Sequence, residues 1–437
     1  MVCAGDSVTR AHHGGTKDTE IHGEIHESNP QSTVRNPKFE RLVILSAPLD
    51  GIRVLDLSRV LSGPFATMTL ADLGAEVIKV EAPGKGDDTR AWGPPFLAGE
   101  STYFLATNRS KLGITLVFKK PRGRELLHRL LELSDILIEN FRPGALEKIG
   151  LGYEGTHKLH PRLIYCSISG YGHTGPRRME PGYDVIIQGE SGVMSVTGAP
   201  DGPPFKMGIS IADITCGMYA VQGILAALYH RERTGEGQKL DVALLDSMVS
   251  TLTYQAGIYF ATGQTPRRMG NRHPSIAPYE TFGASDGHFN LGIANDTQWR
   301  TFCAATGLES DPRFATIPLR VQNYDALRAQ LDSVFRQKPV SYWIETFRKA
   351  GLPCGEVRNV PAALGDPQLR ARNMILEMQH PRAGAIRVTG SPIKMSATDT
   401  FAASAPPVLG EHNRDVFCGL LGLSGEELEE LQREQVI

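Results

Sequence analysis

The stretch MGISIADITCG, residues 207–217, places a single carboxylate, Asp213, among residues that are otherwise apolar, small or hydroxylic. An ionisable side chain in such surroundings has two common explanations. As a helix N-cap, its oxygen would accept a backbone N–H at the start of the helix that follows. As a nucleophile, the same carboxylate would be kept ionised by the free N–H groups and dipole of the helix start, and it would be shielded from water. Position alone leaves both interpretations open.

A helix is predicted to begin at Asp213 and to run to about Arg233. Apolar residues recur there at every third or fourth position, which predicts one buried stripe: Ile214, Met218, Val221, Leu225 and Leu228. The preceding residues, APDGPPFKMGISI, are rich in glycine and proline, so they predict a loop whose backbone passes close to the carboxylate. A ligand could reach the side chain from this loop.

Several common motifs are absent or misplaced. Gly150-Leu-Gly152-Tyr-Glu-Gly155 matches G-x-G-x-x-G, but it follows the helix-like segment ALEKI instead of a strand, so it predicts a turn. The first strand-to-helix turn reads SRVLSGPF and lacks that glycine pattern, which argues against a nicotinamide enzyme. The sequence also has no G-x-x-x-x-G-K-[ST], no G-x-S-x-G and no H-E-x-x-H, which argues against the commonest phosphate, serine-hydrolase and zinc sites.

Strands and helices alternate through the first half of the chain. Short apolar runs predict strands at residues 52–57, 75–81, 112–118, 135–139 and 163–167, and amphipathic segments predict helices ending at Gly74 and spanning Gly123 to Leu133. This alternation predicts an α/β fold with a Rossmann-like parallel sheet that helices cover on both faces.

The chain is predicted to have four parts. Residues 1–46 are rich in His, Ser, Thr and charge and predict a disordered extension, and residues 47–250 form the large ligand-binding domain. A hairpin around Asp286-Gly287 and three helical segments predict a small α+β domain at residues 270–370. Residues 380–437 are predicted to return to the large domain, and Ser424-Gly-Glu-Glu427 forms a capping box for the last helix.

Composition limits the partners. The chain has 437 residues, with 46 basic and 48 acidic ones, so no strong field attracts nucleic acid or an anionic membrane. No run approaches the roughly 20 apolar residues of a membrane span, and the six cysteines include no C-x-x-C pair. These features predict small-molecule ligands, reduced thiols and a cytoplasmic protein, with mitochondrial targeting by residues 1–46 as the alternative.

From about Pro48 to the C-terminus, nearly the whole chain resembles the class III CoA-transferases of the CaiB/BaiF type, most of all their succinyl-CoA:glutarate members. The matching stretches follow one another in order: LDGIRVLDLSRVLSGPFATMTLADLGAEVIKVEAP, GDDTR, ENFRPGALEKIGLGY, ISGYGHTGP, PGYDVIIQGESGVM, DITCGMYAVQGILAALYHRERTGEGQKLDVALLDSM, GLPCGEV and LGEH. Many ordered matches are far more specific than any single motif.

The resemblance implies that Asp213 is a catalytic nucleophile, which attacks an acyl-CoA and becomes an aspartyl-CoA thioester that a second carboxylic acid then attacks. Coenzyme A enters as a thioester substrate, and no metal or redox cofactor is implied. The resemblance also implies an interlaced homodimer and a coenzyme A pocket on the large domain. The pocket residues would be Val60, Leu61, Ser62, Leu116, Lys119, Asn140, Phe141, Lys148, Ile149, Tyr183, Asp184 and Leu244.

The chain departs from its relatives at several positions. Leu61 stands where the formyl-CoA enzyme has a glutamine, which argues against formyl-CoA or oxalate specificity, and Ala82 stands where an arginine is frequent. The glycine run that supplies oxyanion donors in the formyl-CoA enzymes is missing, and Gly270-Asn-Arg-His273 is the only candidate in that region. A dicarboxylate substrate would need a cation for its second carboxylate, for which Arg59, Arg109 and Arg272 are candidates.

Two other functions stay open. The α-methylacyl-CoA racemases share this fold and have a G-H-D motif, but this chain has Gly182-Tyr183-Asp184 and so lacks the histidine of a two-base proton transfer. A non-catalytic protein that binds coenzyme A is also compatible with the sequence.

Overall fold

A six-stranded parallel sheet lies at the centre of the computed structural model, which describes residues 47–398, 400 and 404–437. The predictions for residues 1–46 fall outside this part of the chain. The first eight strands are β1 (Arg53–Asp56), β2 (Glu76–Glu81), β3 (Phe96–Leu97), β4 (Glu100–Ser101), β5 (Lys111–Thr115), β6 (Ile136–Glu139), β7 (Ile164–Ser169) and β8 (Lys239–Ala243). The sheet has the order β5-β2-β1-β6-β7-β8, while β3 and β4 pair separately. Counted along the chain this is the Rossmann order 3-2-1-4-5-6, which confirms the predicted α/β fold.

Helices cover both faces of this sheet. They are α1 (Ser62–Asp72), α2 (Thr102–Thr107), α3 (Pro121–Glu132), α4 (Tyr153–Leu159), α5 (Asp184–Glu190), α6 (Val193–Val196), α7 (Ile211–Thr234), α8 (Leu244–Ser250) and α9 (Thr253–Thr262). Side chains alternate across a strand, so Val54 packs in one apolar core with Ile224 of α7, and Leu55 packs in the other with Leu127 of α3. The sheet is therefore buried on both sides, as a parallel sheet requires.

A second apolar core lies under a three-stranded antiparallel sheet. Its elements are β9 (Tyr279–Gly283), β10 (His288–Gly292), α10 (Asp296–Thr306), α11 (Ile317–Gln322), α12 (Tyr324–Phe335), α13 (Val340–Lys349) and β11 (Cys354–Glu356). The predicted two-residue turn at Asp286-Gly287 is wrong, because Gly283 pairs with His288 and leaves a four-residue loop. The Asp286 carboxylate instead accepts the Val340 N–H at 2.8 Å and ties the loop to α13.

The C-terminal part contains α14 (Val360–Leu364), α15 (Pro367–Ala371), β12 (Ile375–His380), β13 (Gly384–Thr389), a π-helix (Asp415–Leu420) and α16 (Gly425–Arg433). Its LGEH stretch covers the edge of the large sheet, because the His412 N–H donates to the Gly113 carbonyl of β5 at 2.9 Å. Asn413 accepts the Thr115 N–H at 2.8 Å, so the edge strand has no free side there for another chain. The capping box of Ser424 and Glu427 is confirmed.

The buried face of α7 differs from the predicted stripe. Met218 and Leu225 are 49% and 37% exposed, whereas the buried side consists mainly of small residues: Ala212, Cys216, Gly217, Ala220 and Ala227. Only small side chains fit because α1 and the sheet lie close to this face. With 24 residues and a mean hydropathy of 1.5, α7 passes a length and composition test for a membrane span. Buried core helices pass the same test, so this is weak support for a membrane helix.

Candidate active site

Asp213 is the third residue of α7, the helix that crosses from β7 to β8. Such a helix begins at the carboxyl edge of a parallel sheet, where ligands bind in this fold. The N-cap is Ser210, so the interpretation of Asp213 as N-cap is wrong. Instead, Asp184 at the start of α5 accepts the Ala212 N–H at 2.9 Å and leaves the Asp213 carboxyl group free of that task.

A close contact with α1 sets the surroundings of Asp213. A Cβ atom placed on Gly217, one turn further along α7, would lie 2.7 Å from the Ser62 carbonyl oxygen and 3.0 Å from the Phe65 ring. The glycine therefore lets the first turns of the two helices touch. Ser62, the first residue of α1, is 3% exposed, and its side chain forms a hydrogen bond with the Asp213 carboxyl group.

Burial raises the pKa of Asp213 to about 7, with a further contribution from the nearby Asp184 carboxylate. The hydrogen bond from Ser62 acts in the opposite direction and lowers the pKa. The expectation of a fully ionised carboxylate at a helix start is therefore wrong for the free protein: near neutral pH both forms are present. An ionisable group with a shifted pKa beside a ligand crevice is typical of a reactive site.

Two aromatic residues near Asp213 were missed from the sequence. Burial raises the pKa of Tyr103, its side chain bonds to Ser210, and the charges of Asp213 and Asp184 add to the shift. Trp92 packs edge-on against Tyr103, with ring centroids 5.1 Å apart. Both residues lie in the Gly- and Pro-rich connection between β2 and β5, where no long element was predicted. Aromatic residues in a loop after the carboxyl end of a strand were the available signal.

Most of the predicted coenzyme A residues follow the carboxyl ends of strands. Between β1 and β6 the connections leave in opposite directions, and this switch point is the ligand crevice of a Rossmann sheet. Asn140 closes it from one side, because its amide accepts the Arg59 N–H at 2.9 Å and donates to the Arg59 carbonyl at 2.7 Å. The Arg59 guanidinium lies 5.4 Å from the Phe141 ring centre, and Phe141 packs edge-on against Phe118.

The remaining predicted pocket residues differ in exposure. Leu61, Leu116 and Leu244 are buried to at least nine-tenths, so their side chains offer little surface to a ligand. Lys119 and Lys148 are exposed, Val60 and Ile149 are partly buried, and Tyr183 is 65% exposed. The contact assignments therefore stay predictions, and the crevice residues Val60, Ser62, Asn140 and Phe141 are the ones that the structure brings nearest to one another along the sheet edge.

The three arginine candidates separate clearly. Arg109 is buried and forms an ion pair with Asp72 at the far end of α1, so it is not available for a substrate. Arg272 stacks on Tyr324 at 3.5 Å and lines a cavity of about 1030 Å³. Asp213 is not among the residues that line this cavity, nor does it line the neighbouring one that contains Gly270 and His273. Within the described chain, Arg59 is the candidate that lies at the crevice.

The strand order, the crevice and the partly buried carboxyl group define an α/β protein of the Rossmann class with a reactive carboxyl group. A family model for CoA-transferase family III matches residues 49–413. Succinyl-CoA:glutarate CoA-transferase from Mus musculus is 42% identical over 393 residues, which cover 89% of this chain and 90% of that protein. Acetyl-CoA:oxalate CoA-transferase from Acetobacter aceti is 42% identical over 356 residues, 80% of this chain and 90% of that protein.

A solved structure agrees with these similarities. A CaiB/BaiF family protein from Brucella suis superposes with a TM-score of 0.78 and 44% identity, covering 86% of this chain and 100% of that one. The chain therefore belongs to CoA-transferase family III, and it is an enzyme of that family.

Replacement of Gly217 by alanine should separate α7 from α1. The added methyl group would meet the Ser62 carbonyl oxygen at 2.7 Å. We expect a loss of about 1–3 kcal/mol in the free energy of unfolding from overpacking, together with at least a tenfold loss of CoA-transferase activity. Gly223→Ala on the same helix is the matched control, because its methyl group would meet Leu240 at an ordinary 3.4 Å. Equal behaviour of the two variants would contradict the assigned contact.

The raised pKa of Asp213 predicts a pH-dependent cost to stability. With a pKa of about 7 in the folded state against 3.8 as the ordinary value, the folded protein binds more protons between these two values. Its stability therefore falls as pH rises through this window. Asp213→Asn removes the group, so its gain in free energy of unfolding over wild type should grow by about 2 kcal/mol from pH 5 to pH 8. Urea unfolding at the two pH values measures this gain. A pH-independent difference would show that the carboxyl group titrates normally.

Proposed function

We propose that this enzyme transfers coenzyme A from succinyl-CoA, or a similar acyl-CoA, to a dicarboxylic acid such as glutarate, with Asp213 as the covalent carrier. The observation that carries the proposal is the position of Asp213: partly buried at the start of α7, beside Ser62, at the carboxyl edge of a Rossmann sheet. Relatives named for succinyl-CoA and glutarate support the substrate class, including succinate–glutarate CoA-transferase from Agrobacterium fabrum at 43% identity.

The first half of the proposed cycle loads the enzyme. The ionised Asp213 carboxylate attacks the thioester carbonyl carbon, the carbon–sulfur bond breaks, and the coenzyme A thiolate leaves a mixed anhydride on the enzyme. The thiolate then attacks the aspartyl carbonyl carbon. Cleavage of the anhydride releases the donor acid as its carboxylate and leaves an aspartyl-CoA thioester. No proton, electron or metal is consumed, because the thioester and anhydride bonds supply the activation.

The second half repeats these steps with the acceptor. The acceptor carboxylate attacks the aspartyl thioester and displaces the thiolate, which then attacks the acceptor's carbonyl in the new anhydride. The product acyl-CoA leaves, and the Asp213 carboxylate is restored. Water would hydrolyse either intermediate, so the partial burial of Asp213 protects the reaction. The Ser62 hydrogen bond favours the ionised form that attacks, which offsets part of the effect of burial.

Tyr183 supports the transferase over the racemase. Tyr183 occupies the position of the racemase histidine and is 65% exposed, so it offers no positioned base for proton transfer at an α-carbon. Arg59, exposed at the crevice, is our candidate for the second carboxylate of a dicarboxylate.

Trapping of the covalent intermediate tests the proposal. Wild type mixed with succinyl-CoA and then hydroxylamine should carry a hydroxamate on the peptide that contains Asp213, as seen by mass spectrometry. Asp213→Asn should carry none, and its transfer rate should fall at least a thousandfold, because an amide cannot replace the attacking carboxylate.

Acceptor specificity is measured in the same assay, with Asp201→Asn in the preceding loop as a control that should transfer normally. Glutarate and succinate should be used at least ten times faster than oxalate or carnitine. A modified wild type that accepts only carnitine would refute the dicarboxylate assignment, and full activity of Asp213→Asn would refute the mechanism.

We also propose that the enzyme is a homodimer. Large apolar side chains on α7 and α9 face outward and form an extended surface: Met218, Tyr219, Leu225, Tyr229, Tyr254, Tyr259 and Phe260. An exposed apolar patch of this extent is typical of a protein interface. A second copy of the chain is the partner that the family resemblance implies.

Phe260→Glu should therefore weaken the dimer, because Phe260 is 82% exposed in one chain and a carboxylate would be buried at the interface. We expect a monomer in light scattering at micromolar concentration, against a dimer for wild type. Leu159→Glu is the control, since Leu159 is 64% exposed on α4, away from this surface, and should stay dimeric. A monomeric wild type would contradict the proposal.

A further inference from the structure

The turn between β1 and α1, residues 58–64, has an unfavourable backbone conformation. Val60 adopts a φ of +69°, in the left-handed region that a β-branched residue normally avoids. The turn also folds back tightly, because a Cβ atom on Gly63 would lie 2.2 Å from the Ser58 Cβ. Such a conformation persists only where surrounding groups hold it, and it is most often found at functional sites.

Three buried charged side chains hold this turn at its ends and in its middle. The Lys79 ammonium donates to the Ser58 carbonyl at 3.0 Å, and the Lys111 ammonium donates to the Pro64 carbonyl at 3.0 Å. The Val60 N–H donates to both carboxylate oxygens of Asp87 at 3.2 Å. Both lysine side chains are fully buried, and Asp87 is 1% exposed.

The charges of this cluster are paired. Lys79 lies 3.0 Å from Asp87, and Lys111 lies 3.2 Å from Asp56, which also accepts the Ser58 N–H and the Thr67 hydroxyl. Buried ion pairs are a weak source of stability, since apolar residues of similar volume are often as stable. Stability alone therefore gives no reason for four buried charges beneath one turn, whereas the geometry of the turn does.

We propose that Lys79, Lys111 and Asp87 are positioning residues that clamp the turn so that the Ser62 hydroxyl meets the Asp213 carboxyl group. This inference deepens the proposed function and rests on it for its catalytic meaning. Ser62 follows the clamped residues directly and begins α1, whose first turn touches α7 at Gly217. A turn released by loss of the clamp would move Val60 to a negative φ and carry Ser62 away from Asp213.

The test uses a charge-neutral variant, Asp56→Asn with Lys111→Met, in the full-length enzyme. Asparagine can still accept the Ser58 N–H, so the Pro64 clamp is the main loss. We expect the pKa of Asp213 to rise by about one unit, because the Ser62 hydrogen bond that lowers it is lost. Infrared difference spectra of each background, with and without Asp213→Asn, read this carboxyl titration without any need for activity.

A double-mutant cycle with Ser62→Ala tests whether the clamp acts through Ser62. We expect each change to slow covalent loading by succinyl-CoA about tenfold, and the combination to be about tenfold slow instead of a hundredfold. The matched control is Asp72→Asn, which breaks the buried pair with Arg109 at the other end of α1. It should lower the melting temperature without moving the Asp213 titration, and its effect should add to that of Ser62→Ala.

The outcomes separate the two proposals. An unmoved Asp213 titration in the clamp variant, or multiplicative effects with Ser62→Ala, would overturn the positioning role even if the covalent intermediate is found. Absence of a covalent adduct in wild type would overturn the proposed function, while the titration would still judge the clamp. If the first variant does not fold, Lys79→Met with Asp87→Asn releases the Ser58 end of the turn and should raise the pKa of Asp213 in the same way.

Discussion

The close packing of α7 against the first turn of α1 determines the rest of the site. Gly217 and the other small residues of α7 allow the two helices to touch, and this contact places the Asp213 carboxyl group beside Ser62 and away from bulk water. With a larger residue at position 217 the helices would have to separate, and solvent would reach the carboxyl group. Its pKa would then lie near that of an ordinary aspartate. A reactive carboxyl group here is thus a product of backbone proximity more than of nearby polar side chains.

Asp184 connects the architecture of the site with its electrostatics. Its carboxylate accepts the Ala212 N–H, and the Gln188 amide holds its other oxygen at 2.8 Å. This fixes the start of α7, yet it also places a negative charge close enough to raise the pKa of Asp213. A helix start normally favours an anion, but here the favourable N–H group is already occupied by another carboxylate. The result is a carboxyl group that changes its charge near neutral pH.

The parts of this structure that are local in sequence could be predicted, and the parts that depend on distant residues could not. Period-two and period-3.6 patterns predicted the strands of the large sheet and α7, because burial on one or both faces imposes them. The capping of α7 by Asp184, 28 residues before Ala212, leaves no pattern near Asp213. The outward direction of Met218 and Leu225 depends on what covers them, and the role of Asp213 came only from family resemblance. Trp92 and Tyr103 were missed because irregular segments lack a period.

The turn after β1 explains why a Rossmann sheet serves a different chemistry here. In dinucleotide-binding proteins, glycines at this turn let the backbone approach a pyrophosphate. In this enzyme the left-handed position is a valine, and buried lysine and aspartate side chains hold the turn from beneath. A turn fixed in this way cannot wrap closely around a pyrophosphate, but it can present a serine at a fixed distance from a carboxyl group on the next layer. The crevice is therefore suited to placing a thioester beside Asp213, and the buried charges follow from the need to hold a non-glycine turn in that conformation.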